Sequence, residues 1–172
     1  MDRREIAIRP IVAADAITVA DLHATSWRDG YRGMLRDEYL DGDIAAERRQ
    51  VWTARLGESV DANYGFIAEA ETGPVGFAYM LGGVDATWGT LIDNLHVLPR
   101  QKGRGIGRRL LEELLRLAEA HGFHSVIARI TGANDASIAL HAACGFETVG
   151  TEREVGRKFG QWLDVVEMQR ML

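Results

Sequence analysis

The feature that most constrains this chain is a glycine-rich segment past its middle, Lys102-Gly103-Arg104-Gly105-Ile106-Gly107. Glycine has no Cβ and adopts backbone conformations closed to other residues, so three alternating glycines predict a tight turn that can approach a ligand closely. Apolar residues then recur at helical spacing from Ile106 to Ala118, and the pattern stops at Gly122, a residue typical of helix C-termini. The segment therefore predicts a loop that opens a helix.

The same segment is strongly basic, although the chain has a formal net charge of −5. No carboxylate occurs between Pro99 and Leu111, and the cations there are Arg100, Lys102, Arg104, Arg108 and Arg109. The first turn of a helix leaves N–H groups unpaired and carries partial positive charge, so this arrangement predicts a pyrophosphate site.

Two other interpretations of the segment are a glycine-rich turn with merely solvated arginines and a dinucleotide-binding loop. The second is disfavoured, because the last glycine of that pattern would fall on Arg108 and the loop does not follow the first strand.

Length and composition favour a single globular domain over residues 1–172, with 47% hydrophobic residues. No apolar run approaches the roughly 18 residues of a membrane span, and the first residues do not resemble a signal peptide. We therefore expect a cytoplasmic protein without a membrane partner. The single cysteine, Cys144, excludes an internal disulfide, the five histidines show no metal-ligand spacing, and the mild acidity gives no support to nucleic-acid binding.

Hydrophobic periodicity predicts the order strand, two helices, three strands, helix, strand, helix, two strands. Such an order is typical of an α/β (mixed α+β) protein with helices on both faces of a mixed sheet. The strands flanking the glycine helix should be parallel and joined by a right-handed crossover. The predicted strands cover 6–10, 64–71, 75–81, 88–97, 125–130, 147–154 and 162–171, and the predicted helices run from about 17 to 30, from 44 to 56, from the glycine loop to 122 and from 136 to 144.

Three ordered matches resemble the GNAT N-acetyltransferase superfamily and together cover nearly the whole chain. The glycine segment, after the strand ending in Val97-Leu98-Pro99, fits the family signature with lysine in its first place, which keeps the charge but loses arginine's planar donor fork. Residues 134–146 are similar to the later cofactor-binding helix with its Gly-Phe ending. The tail over 156–165 is similar to the branch that acetylates phosphinothricin and related small amino acids.

The resemblance implies the GNAT fold: a mixed, mostly antiparallel sheet of about seven strands with four helices and a parallel pair that splays apart. It also implies acetyl-CoA as cofactor, with its pyrophosphate on the loop amides, its pantetheine arm along the preceding strand and its thioester in the gap. Asn134 occupies the place of an asparagine that contacts the pantetheine arm, and its alternative role is a helix cap. The cofactor-binding residues implied are Leu95, His96, Val97, Lys102, Gly103, Arg104, Gly105, Ile106, Gly107, Arg108 and Asn134.

The general acid of the family is altered, because His141 stands where relatives usually have tyrosine. A thiol of pKa about 8.5 leaves at neutral pH at a cost of about 2 kcal/mol, so a histidine or water could serve. His141 is thus a candidate general acid, with a purely structural helix residue as the alternative.

The general base is altered as well, because Ile92 stands where the phosphinothricin-type branch has glutamate. Strand alternation predicts Asp93 on the face of Leu95, opposite Ile92, Asn94 and His96. The candidate bases are Asp93, acting through a water, and His96, and a structural role is the alternative for each.

The energetics of the amine constrain the acceptor. An α-amine of pKa about 7.8 needs about 1 kcal/mol to be neutral at pH 7, whereas a lysine-type amine needs about 4.6 kcal/mol. Because this chain has no assured general base, these energies favour an α-amino acceptor. The similarity of residues 156–165 to the phosphinothricin-type branch favours the same acceptor. Trp27, Tyr31 and Lys158 are the candidate acceptor-binding residues, and core packing is the alternative for the two aromatics.

The sequence thus predicts transfer of acetyl from acetyl-CoA to a primary amine of a small molecule, an amino acid or its analogue, by direct attack in a ternary complex. The alternatives are an acyl-CoA-binding sensor without turnover, and acetylation of a polyamine, an antibiotic or a protein N-terminus. Homodimers are common in the family, and no residue pattern in this chain indicates one.

Overall fold

The computed structural model describes residues 6–32, 36–57, 63–85, 89–158 and 160–172. Its elements are β1 (Ala7–Pro10), α1 (Ala16–Tyr31), α2 (Asp37–Asp41), α3 (Asp43–Gly57), β2 (Asn63–Ala70), β3 (Gly73–Asp85), β4 (Gly89–Val97), α4 (Ile106–Ala120), β5 (Ser125–Thr131), α5 (Asp135–Ala143), β6 (Glu147–Lys158) and β7 (Gln161–Met171). The predicted order of elements is confirmed, with α2 added. At five residues α2 is too short to show a hydrophobic period.

The described strands form one seven-stranded sheet in the order β1-β2-β3-β4-β5-β7-β6. All neighbouring pairs are antiparallel except β4 and β5, which are parallel and are connected through α4. This confirms the predicted mixed, mostly antiparallel sheet. No helix in the described part of the chain combines the length and hydropathy of a membrane span.

The parallel pair separates along its length. Pairing begins at Gly89 with Ser125 and ends at Ile92 with Ala128, although β4 continues to Val97. On its other side β4 stays paired with β3 as far as Val97. Among the described residues, the edge of residues 93–97 that faces β5 therefore has no ladder partner, and the predicted splay is confirmed.

Two hydrophobic clusters hold the sheet between its helices. On one face α4 buries Leu110, Leu111 and Leu114 against the sheet, each fully buried. Burying a leucine side chain contributes about 1.5–3 kcal/mol, so α4 and the loop at its N-terminus are firmly anchored. On the other face α1 and α3 pack through residues such as Val19 and Trp52 against β2 and β3.

A β-bulge interrupts β4 at Asp93. Two consecutive residues of β3 lie opposite Ile92 and Asn94, which leaves Asp93 as the extra residue. Ile92 joins Leu95 in the cluster beneath α4, whereas His96 stacks on a ring of the α1–α3 cluster. The alternation predicted for this strand is wrong, because one inserted residue shifts every later side chain to the opposite face.

Candidate active site

A cavity of about 380 Å³ lies where β4 and β5 separate. Five elements line it: α1, α3, β4, β5 and the first turns of α5. Its lining includes the following residues predicted from sequence: Trp27, Tyr31, Asp93, Leu95, His96, Asn134 and His141. The glycine loop follows β4 beyond this lining, and the side chain of Lys158 is outside the described residues.

The glycine loop has the backbone conformations that its composition predicts. Gly103 and Gly105 have φ of +76° and +78°, in the left-handed region that favours glycine. Gly107 serves a different purpose, because a Cβ there would lie 3.2 Å from a methyl group of Leu140. The first two glycines therefore shape the loop, and the third allows α4 to approach α5.

The loop presents a row of main-chain donors. Within the described residues, no backbone N–H of residues 103–108 donates to another backbone group, and the first helical bond runs from Arg109 N–H to the Gly105 carbonyl at 3.1 Å. The Lys102 N–H is used in the preceding turn, where it donates to Pro99 at 3.3 Å. Open N–H groups at the N-terminus of a 15-residue helix can bind a phosphate group.

The basic side chains of the loop have separate partners. Lys102 Nζ lies 3.2 Å from Asp29 of α1, and Arg109 donates to the Ile6 carbonyl at 2.9 Å. Arg108 pairs with Glu112 at 2.8 Å on the exposed surface of α4. An exposed pair of this spacing contributes little to stability, so Arg108 can exchange it for a ligand anion.

His141 lies buried on α5 with one ring nitrogen committed and the other open. Its Nδ1 is 2.8 Å from the Ser137 carbonyl, which can only accept, so Nδ1 carries the hydrogen. Nε2 is then an acceptor in the neutral ring, and it is buried with no hydrogen-bond partner among the described residues. Burial lowers the pKa of His141, so the neutral ring is favoured. His141 therefore has an unused hydrogen-bond acceptor and is part of the cavity lining.

His96 is held in an aromatic and weakly polar setting. Its Nδ1 lies 3.0 Å from Ser26 Oγ, and its ring stacks on Phe77 with centroids 5.3 Å apart. Desolvation, with a smaller effect of the Lys102 charge, lowers its pKa to about 4. A general base works best with a pKa near the operating pH, so this histidine is a weak base.

Asp93, the bulge residue, is anchored by two donors. Its carboxylate accepts from Arg55 Nη1 at 2.5 Å and from Asn94 Nδ2 at 2.6 Å. The Arg55 guanidinium in turn lies 5.0 Å from the ring centre of Trp52. The bulge thus directs a carboxylate into the cavity and fixes it there as part of an ion pair.

Asn134 caps α5, since its side-chain oxygen accepts from the Ser137 N–H at 3.2 Å. The cap uses the oxygen alone, so the side-chain NH₂ can still donate to a ligand. Trp27 and Tyr31 form an edge-to-face pair 5.2 Å apart, and both pack against a small cluster that contains Leu40. The two aromatics therefore line the cavity and also pack in the core.

Several lining residues were not predicted from the sequence, among them His23, Arg48, Trp52 and Arg55. The spacing of Arg48, Trp52 and Arg55 places them on one face of α3, which was the available signal. His23 accepts a hydrogen bond from Trp52 Nε1 at 3.0 Å, a contact between helices that no local pattern indicates.

Comparison with known proteins gives consistent matches. The model of the Acetyltransferase (GNAT) family matches residues 21–146. The chain is 44% identical to the L-methionine sulfoximine/L-methionine sulfone acetyltransferase of Pseudomonas paraeruginosa, over 47% of each chain. The match therefore spans about half the length of that curated relative.

Two solved structures match nearly the whole chain. One is the GNAT superfamily phosphinothricin acetyltransferase (Pat) from Sinorhizobium meliloti in complex with AcCoA, with a TM-score of 0.73 and 30% identity over 98% of this chain and 89% of that one. The other is the ribosomal-protein-alanine N-acetyltransferase from Brucella melitensis, with a TM-score of 0.76 and 32% identity over 96% and 99%. These matches confirm the resemblance inferred from the three sequence motifs.

Proposed function

We propose that this chain, which belongs to the Acetyltransferase (GNAT) family, transfers an acetyl group from acetyl-CoA to the primary amine of an amino acid or amino acid analogue. The observation that carries the proposal is the continuity of β4: its unpaired edge borders the cavity, and its end leads into the row of open N–H groups at residues 103–108. One strand thus connects a place for a thioester with a place for a pyrophosphate.

The residues present fit acetyl-CoA. Open amides of 103–108 suit a doubly charged pyrophosphate, and the edge of Leu95 to Val97 that faces away from β3 suits the amides of a pantetheine arm. The Asn134 NH₂ group can add a donor at the start of α5. When bound there, acetyl-CoA supplies the thioester that a neutral amine attacks.

We assign His141 the movement of a proton in the cavity. Because Nδ1 holds its hydrogen on Ser137, the open Nε2 can take a proton from the reacting amine and release it at the sulfur. This differs from a tyrosine acid, which begins protonated. A neutral imidazole must first accept the proton that it later donates.

Asp93 and His96 receive secondary roles. The anchored Asp93 carboxylate can accept, through a water, the proton that the acceptor ammonium loses before attack, and Nε2 of His141 can then take the second proton after attack. His96, with its pKa of about 4, stays neutral. Its hydrogen bond with Ser26 joins β4 to α1 at the cavity wall. Lys158 stays a predicted partner of an acidic acceptor.

The acceptor end of the cavity lies between α1 and α3, where Trp27 and Tyr31 line it. The relatives named for methionine sulfoximine and phosphinothricin act on amino acid analogues, which supports the same class for this chain. A cytoplasmic location belongs to this proposal, as does a small-molecule acceptor.

Thiol release tests the proposal. Purified protein is incubated with acetyl-CoA and a panel of amines that contains L-methionine sulfone, phosphinothricin, a polyamine and a peptide with N-terminal alanine. We expect CoA release with the two amino acid analogues and little with the polyamine. Acetyl-CoA binding by calorimetry without release on any amine would favour the sensor alternative, and preferred turnover of the peptide would assign the acceptor to protein N-termini.

A further inference from the structure

Among the described residues that line the cavity, Arg48 is the arginine with the most distant counter-ion. Among the lining arginines, Arg55 is paired with Asp93 at 2.5 Å. Arg129 faces two glutamates outside the cavity, Glu152 and Glu167, the latter at 3.3 Å. Both positive charges are therefore compensated within the fold.

Arg48 of α3 is different. Within the described residues, its only ion pair is with the adjacent Glu47. Arg48 Nη2 and Glu47 Oε2 are 3.8 Å apart, which is beyond hydrogen-bond distance. Glu47 is itself the acceptor of a 2.7 Å hydrogen bond from Tyr39. Glu47 is therefore a weak counter-ion, and Arg48 keeps hydrogen-bonding capacity for a ligand at the α3 wall.

The orientation of Arg48 is suited to a planar anion. Its side chain is 19% exposed, its Nε is buried with no hydrogen-bond partner among the described residues, and its guanidinium carbon lies 5.1 Å from the ring centre of Trp27. Attraction to the indole ring restricts where the guanidinium lies, and Nε remains a donor that the described residues leave unused. A buried donor without a partner is unfavourable, so an anion at that edge would stabilise the site.

We propose that Arg48 binds the carboxylate of the acceptor. A carboxylate accepts two parallel N–H bonds from one edge of a guanidinium, which places the adjacent amine at a set distance from the arginine. This inference rests on the proposed function and narrows it: the acceptor is an α-amino acid with a free carboxylate. Polyamines lack that group, and in a peptide the N-terminal residue carries an amide in its place.

The test compares L-methionine sulfone with its carboxamide, each titrated calorimetrically into CoA-loaded protein and each assayed for turnover with acetyl-CoA. Wild-type protein should bind and acetylate the acid about 30-fold better than the amide, the range expected for a charge-assisted hydrogen bond. Arg48→Gln should remove that preference by weakening the acid alone, and Arg48→Lys should restore part of it.

Arg49→Gln is the matched control, because Arg49 is the next residue of α3, about half exposed, and paired with Asp21 at 3.0 Å outside the cavity. It should leave the preference unchanged. Equal loss for acid and amide in Arg48→Gln, or a wild-type protein indifferent to the carboxylate, would overturn the subsite and leave the acetyltransferase proposal standing. Selective binding of the acid without turnover would support the subsite and overturn the acetyltransferase proposal.

Discussion

The two ends of the proposed binding site, the glycine loop and the acceptor end of the cavity, are built from different groups. At the glycine loop the donors are main-chain N–H groups of six consecutive residues, 103–108. At the opposite end the lining consists of side chains such as Trp27, Arg48 and Arg55, from helices separated in sequence. A site made of consecutive backbone groups is specified by a local pattern, whereas a site made of distant side chains is specified only by packing. The first is therefore the sturdier basis for a functional assignment.

The largest effect on acetyl-CoA binding is expected from a substitution in the glycine loop. Gly105→Glu should weaken acetyl-CoA binding by about 1,000-fold or more, because it places a bulky carboxylate where the phosphate is proposed to bind and strains the left-handed turn that presents the loop amides. The measurement is calorimetric titration with acetyl-CoA.

Gly122→Glu is its control, since Gly122 has a φ of +72° at the other end of α4 and also has open space around it. The two substitutions share the cost of a left-handed residue, about 1–2 kcal/mol. Similar affinities in both variants would mean that the loop amides do not hold the pyrophosphate.

A smaller effect, on kcat, is expected from substitution of His141. His141→Phe keeps the packing against Phe146 but removes Nε2. We expect kcat to fall by about 100-fold with little change in KM for acetyl-CoA. The pH–rate profile should lose its acidic limb, which arises as the imidazole becomes protonated and can no longer accept; an unaltered profile would remove His141 from proton transfer.

On the acceptor side, Asp93→Asn tests whether the bulge carboxylate takes part in the reaction. The isosteric amide keeps the cavity shape but leaves Arg55 without its counter-ion. We expect kcat to fall about 10-fold at saturating acetyl-CoA. Asp21→Asn, which changes an ion pair outside the cavity, should be neutral. A change in KM alone would restrict Asp93 to positioning Arg55.

These differences also explain which features could be predicted from sequence. The strand, loop and helix around Gly105 followed from glycine conformation and helical periodicity, and the cap at Asn134 was one of two alternatives for that residue. The faces of β4 were predicted wrongly, because the bulge at Asp93 depends on pairing with β3 and leaves no local mark. The ring tautomer of His141 and the charge balance around Arg48 required the packed structure, since each depends on partners that only the fold brings near.

The smallest predicted effect concerns stability and His96. Its folded pKa of about 4 lies below the ordinary value of 6.5, so between those pH values the unfolded chain binds a proton that the native chain does not. The free energy of unfolding should therefore fall by about 1–2 kcal/mol as pH drops from 6.5 to 4, after allowance for partial solvent access to the ring. Denaturant titrations of wild type and His96→Gln measure the difference, and equal slopes against pH would contradict the assignment.

The most direct test of the central claim is a crystal structure with CoA bound. We expect pyrophosphate oxygens within about 3 Å of amide nitrogens in residues 103–108, and the sulfur between β4 and β5 beyond the pairing of Ile92 with Ala128. A pyrophosphate held elsewhere, with those amides contacting only water, would contradict it.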